Sequence, residues 1–102
     1  VYWNNLALAQ EYDGALDAAE KSYQKAIELA PDNHDYYNYL GVYYHNSGKY
    51  ADAITQYQKA ITLKPDLGVY HSNLGFAHEA MGNIDAALQA YLEAVKYDKV
   101  QG

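Results

Sequence analysis

The sequence predicts an all-α solenoid, and three observations carry that prediction. Gly14, Gly48 and Gly82 recur at intervals of 34 residues. The same offset superposes Leu6, Leu40 and Leu74; Ala19, Ala53 and Ala87; Tyr23, Tyr57 and Tyr91; and Ala26, Ala60 and Ala94. Pro31 and Pro65 close the first two units. A repeat of this length is too short to bury its own apolar face, so neighbouring units must supply one another's core. One domain of three units follows, over 1–33, 34–67 and 68–102, with function expected on a surface.

Each unit reads as two helices, A and B. In the first, Trp3, Leu6 and Ala7 mark one face of an A helix over 2–12, and Ala19, Tyr23 and Ala26 mark a B helix over 16–29. In the second, Tyr37, Leu40, Gly41 and Tyr44 follow the i, i+3, i+4, i+7 pattern of a helix over 34–46 until Asn46-Ser47-Gly48 breaks it. Ala53, Ile54, Tyr57, Ala60 and Ile61 restart the period over 50–63. Pro65 cannot donate the backbone hydrogen bond that would continue that helix, and Asp66 is placed to cap the next. The third unit repeats the plan over 68–80 and 84–97. Ala7, Gly41 and Gly75 on the A helices are expected to meet Ala19, Ala53 and Ala87 on the B helices, where small residues let the backbones approach.

These positions resemble the tetratricopeptide repeat, which runs aromatic-x2-Leu-Gly-x2-Tyr, then Ala-x3-aromatic, then Ala and a closing Pro. The second unit fits best, with Tyr37, Leu40, Gly41, Tyr44, Ala53, Tyr57, Ala60 and Pro65. The first departs at Ala7 and Gln10; the third places His71 and His78 in aromatic slots and Lys99 in the proline slot. The resemblance spans essentially the whole chain. It implies a right-handed superhelical solenoid of three tetratricopeptide repeats, whose A helices line a concave groove that receives a peptide or protein segment.

Candidate groove residues are the A-helix positions turned away from the apolar stripe. The 34-residue offset arranges them as an apolar row of Leu8, Val42 and Phe76, a polar row of Asn4, Asn38 and Ser72, and a third row of Glu11, His45 and Glu79. Asn5, Tyr39 and Asn73 form a further row, which resembles the asparagine ladder of superhelical family members, with Tyr39 interrupting it. An amide carries both donor and acceptor and so matches a peptide group. His45, flanked by Glu11 and Glu79 in the register, is the position expected to respond to mild acid. Members that grip chaperone C-terminal carboxylates use Lys and Arg on A helices. The segments 1–13 and 68–81 have neither, which disfavours that partner.

The solenoid ends are expected to be open. Glu20, Gln24 and Ile27 align with Ile54, Gln58 and Ile61, then with Leu88, Leu92 and Val95. The last B helix is therefore the most apolar where a following A helix would dock. A polar terminal cap is absent, and Val1 falls partway into a repeat, as expected of a piece of a longer protein. Pairing of Leu88, Leu92 and Val95 with Tyr2 and Leu6 of another copy would give head-to-tail assembly.

Composition narrows the remaining classes. Thirteen acids stand against seven lysines and no arginine, for a net charge of −6, and the lysines lie off the A helices; a nucleic-acid partner needs clustered cations and is not expected. No apolar run approaches membrane-spanning length. The absence of cysteine excludes disulfides and thiolate chemistry in this chain. His34, His45, His71 and His78 form no metal-binding motif, and no nucleophile elbow or phosphate loop is present, so neither catalysis nor a cofactor is expected. The leading function is a protein–protein interaction module within a larger adaptor or scaffold. The alternatives are a self-assembling scaffold, natural or designed, and the recognition arm of a larger enzyme.

Overall fold

Six helices make up the described chain: α1 (Tyr2–Tyr12), α2 (Leu16–Leu29), α3 (His34–Asn46), α4 (Tyr50–Leu63), α5 (Gly68–Ala80) and α6 (Ile84–Gln101). The structure is a computed structural model that describes residues 2–101, with side chains described through Tyr97. Helices α1 and α2, α3 and α4, and α5 and α6 pack as pairs, and α2 on α3 and α4 on α5 join the pairs into an all-α helical repeat solenoid. Among the described residues no helix is long and apolar enough to cross a membrane.

The A-to-B turns are set by glycine. Gly14, Gly48 and Gly82 have φ of 83°, 80° and 83°, in the left-handed region that a Cβ disfavours. Each ends its A helix in a Schellman motif: the amide of Lys49 donates to the carbonyl of Tyr44 at 2.8 Å, Ala15 to Gln10 at 2.8 Å and Asn83 to His78 at 2.9 Å. The B-to-A turns are set by proline. Tyr37 Oη donates to the Pro31 carbonyl at 2.9 Å, and His71 Nε2 lies 2.9 Å from the Pro65 carbonyl, so one aromatic slot fastens both turns.

Two sequence expectations are corrected and a third is refined. Asp66 does not cap α5: the N-cap is Leu67, without a side-chain hydrogen bond, and the Asp66 carboxylate pairs with Lys64 Nζ at 3.3 Å. Helix α6 continues past 97 to Gln101, there being no proline to stop it; the side chain of Lys99, in the proline slot, lies outside the described residues. The third concerns the small A-helix residues. A Cβ on Gly41 would lie 2.5 Å from Tyr57 Cε1, and one on Gly75 would lie 2.7 Å from Tyr91 Cε1. The atoms nearest each glycine thus belong to the ring of a B-helix tyrosine, and Ala19 and Ala53 are fully buried in the same core.

Tyrosines of both A and B helices supply most of the bulk of the core. Tyr23, Tyr57 and Tyr70 are its largest fully buried side chains. Because the Tyr57 ring is enclosed, it cannot retreat from an added methyl. We predict that Gly41→Ala destabilises the fold by about 1–3 kcal/mol in urea unfolding, the range of an overpacked core.

Candidate peptide-binding groove

Two cavities open along the A helices at the junctions between helix pairs. The first, about 460 Å³, is lined by Leu8, Glu11 and Tyr12 of α1, Tyr23 of α2, and Tyr39, Val42 and Asn46 of α3. The second, about 170 Å³, is lined by Val42, His45 and Asn46 of α3, Tyr57 of α4, and Asn73 and Phe76 of α5. The 34-residue offset maps Leu8 onto Val42, Glu11 onto His45, Tyr12 onto Asn46, Tyr23 onto Tyr57, Tyr39 onto Asn73 and Val42 onto Phe76. They are one site occurring twice with different chemistry.

Each site is lined by a core tyrosine, Tyr23 in the first and Tyr57 in the second. Tyr23 Oη donates to Glu11 Oε1 at 2.8 Å, and Tyr91 Oη makes the equivalent bond to Glu79 Oε1 at 2.6 Å. In the middle repeat His45 replaces the acid. Burial raises the Tyr57 phenol with no acidic contribution, whereas Tyr23 is raised by burial and then by its bond to Glu11. Glu11 and Glu79 each hold a phenol proton of their own repeat instead of flanking His45. The His45 ring meets Tyr50 edge-on, with centroids 5.1 Å apart, and its Nδ1 is buried without a partner. The acid–histidine–acid row expected to respond to mild acid is not assembled.

The two junctions differ in their polar seam. Between α3 and α5, Asn73 Nδ2 donates to Asn38 Oδ1 at 2.8 Å. The corresponding pair one repeat earlier is Asn4 and Tyr39. Asn4 is only 5% exposed and its Oδ1 is buried without a partner. Asn4 therefore does not line the groove as expected. In the repeat register its counterpart is Tyr39, which lacks the amide that Asn73 supplies to Asn38. Helix α2 also contacts α3 less extensively than α4 contacts α5, and the cavity at that first junction is the larger.

Other expected site residues separate clearly. Leu8, Glu11, Tyr39 and Val42 meet in the first cavity; Val42, His45, Asn73 and Phe76 meet in the second. Phe76 is 53% exposed. Asn5 is exposed but lines neither cavity, Ser72 is half-buried outside both, Asn38 is tied to Asn73, and Glu79 to Tyr91. Tyr12, Tyr23, Asn46 and Tyr57 are lining residues that the sequence did not identify. Tyr12 and Asn46 share a repeat position at the end of the A helix, and that periodicity was the available signal. Among the described residues, no three of His, Cys, Asp or Glu are grouped to hold a metal ion.

Models of the tetratricopeptide repeat match residues 1–33, 22–55 and 68–99, and a further TPR repeat model matches 44–82. The chain is a tetratricopeptide repeat protein. The crystal structure of MamA superposes with a TM-score of 0.92 at 28% identity, over 97% of this chain and 58% of MamA. The chain thus spans a little over half the length of MamA. The first tetratricopeptide domain of Spaghetti (RPAP3), bound to the HSP90 peptide SRMEEVD, gives 0.89 at 19% identity, covering 96% of this chain and 78% of that one. The Sgt2 domain from Aspergillus fumigatus gives 0.88 at 22% identity, covering 96% and 65%. Comparison with curated protein sequences gives no match.

The phenols of the repeat contacts make stability pH-dependent. Burial, then the bond to Glu20 at 2.7 Å, pushes Tyr44 up to about 12; burial, then Glu79, pushes Tyr91 up to about 12. In the unfolded chain a phenol titrates near ~10. The folded state favours the protonated phenol, so this contribution is complete below about pH 10 and is lost as pH rises towards 12. Urea midpoints measured across that alkaline window should fall while tyrosine-free surface variants leave the slope unchanged; a flat profile would contradict the assignment.

Proposed function

We propose that this chain is a non-catalytic protein-interaction module, a segment of a larger adaptor or scaffold, that binds an extended partner segment along α1, α3 and α5. The observation that carries the reading is the pair of repeat-related cavities on one face, linked by Val42, which lines both. Leu8, Val42 and Phe76 provide an apolar line, with Tyr39, Asn46 and Asn73 as polar or amphipathic neighbours, the composition of an interface core with a polar surround. The peptide-bound neighbour of the same fold supports this use of the architecture. The absence of Lys and Arg from all three A helices argues against the carboxylate-gripping mode for this chain.

Phe76 gives the cleaner test, because Asn38 also bonds Asn73 and its removal would disturb the seam. Phe76→Ala should weaken peptides selected from a random phage-displayed library by about 1–3 kcal/mol, with helical circular dichroism unchanged. Unchanged affinity for such peptides would sink the groove reading.

A second reading has its own observation. Leu88, Leu92 and Val95 are 54%, 55% and 59% exposed along one strip of α6. We propose that this strip receives α1 of a second copy through Tyr2, which is exposed, and Leu6, which is half-buried. Sedimentation should then reveal concentration-dependent self-association that Leu88→Glu with Leu92→Lys abolishes. A wild-type chain that stays monomeric at about millimolar concentration, a range in which weak contacts are populated, would contradict it.

A further inference from the structure

We propose that the first cavity receives a cationic side chain of the partner segment, arginine in preference to lysine. This rests on the groove reading above and adds the chemistry of what the groove selects. Each cavity has a lining tyrosine and an apolar wall, Leu8 and Val42 in the first and Val42 and Phe76 in the second, and their polar chemistry differs at three further repeat positions. Where the second has His45, Asn46 and Asn73, the first has Glu11, Tyr12 and Tyr39. Glu11 and the rings of Tyr12 and Tyr39 thus belong to the first cavity, which is also the larger, whereas the second has Phe76 and the His45 imidazole and no acid.

That set suits a guanidinium. A cation is attracted to the faces of aromatic rings, and a guanidinium also stacks on them as a plane. Glu11 uses Oε1 to accept the Tyr23 phenol at 2.8 Å. An ionised carboxylate offers about four acceptor positions, so this bond orients Glu11 while leaving capacity for the two-pronged fork of an arginine. Burial and then Glu11 hold the Tyr23 phenol protonated, which keeps it the donor in that bond.

Among Asp, Glu, Lys and Arg, the A helices carry acids alone. Helices α1, α3 and α5 carry no lysine or arginine, and the chain's net charge is −6. An acidic segment such as the SRMEEVD held by the Spaghetti domain would meet Glu11 here with no cation to receive its carboxylates. Steering by the acidic surface and selection within the cavity therefore favour the same kind of partner.

The test uses the whole chain and four fluorescein-labelled nonapeptides. Each has a Gly/Ser backbone with leucine at the third and seventh positions, and the central residue is Arg, Lys, Gln or Glu. Fluorescence anisotropy should rank Arg above Lys, and Lys above Gln and Glu, with Arg over Gln on the order of tenfold or more, the scale of a charge-assisted hydrogen bond. Amide NMR signals of Leu8, Glu11, Tyr39 and Val42 should shift with the Arg peptide. Glu11→Gln, which keeps an oxygen for Tyr23, should bring the Arg peptide down to the affinity of the Gln peptide. Equal affinities for the Arg, Gln and Glu peptides, with shifts along the A helices, would overturn the cationic assignment and leave the groove reading standing. Absence of A-helix shifts with every peptide would overturn both. If Glu11→Gln loses its helical circular dichroism, the ranking on the unaltered chain decides.

Discussion

The contact on which this solenoid depends is that between a B-helix tyrosine and a small A-helix residue. Tyr57 lies against Gly41 and Tyr91 against Gly75 so closely that a single methyl would overlap the ring. This contact fixes how near the two helices of a repeat approach. It also carries the tyrosine through the layer, so that the ring belongs to the core and the phenol end reaches the A-helix surface. At Tyr23 and Tyr91 the phenol is fastened to Glu11 and Glu79; at Tyr57 it meets a repeat without that acid. Packing and surface chemistry thus depend on the same side chain.

Between repeats the constraint is polar. Tyr43 Oη donates to the Leu16 carbonyl at 2.7 Å, and Tyr44 Oη to Glu20 at 2.7 Å, joining α3 to the preceding B helix. At the second junction, Tyr70 Oη donates to Asp35 Oδ1 at 2.6 Å and lies 2.6 Å from His34 Nδ1, while Asn73 spans to Asn38. The first junction has no counterpart of that last bridge because position 39 is tyrosine. A buried carbonyl left without a donor costs about 1–3 kcal/mol.

The helices were legible in the sequence because their ends are encoded by residues with a single structural meaning. Glycines near +80° and prolines lacking an N–H punctuate the chain, and five helices have the bounds that this punctuation predicts. The sixth outruns its expected end because Lys99 replaces the proline. Asp66 was misread because an acid before a helix can either cap or form an ion pair, and Lys64 competes for it. The face of the groove was legible through the 34-residue rows; the detailed lining was not. Tyr23 and Tyr57 read as core because periodicity reports where a ring is buried and is silent about where its hydroxyl emerges. Asn4 read as a surface amide because periodicity reports which helix face a residue occupies and not what covers that face; it is buried, with its Oδ1 unpartnered.

The central claim about the junctions is that position 39 decides whether the first carries the amide bridge that joins Asn73 to Asn38 at the second. A double-mutant cycle tests it most directly: urea unfolding of Tyr39→Asn and Tyr39→Ala, each with and without Asn4→Ala. The account predicts that the asparagine variant gains about 0.5–1.5 kcal/mol of coupling with Asn4, the net value of one hydrogen bond, and that the alanine variant gains none. Zero coupling between positions 4 and 39 in the asparagine variant would contradict the account.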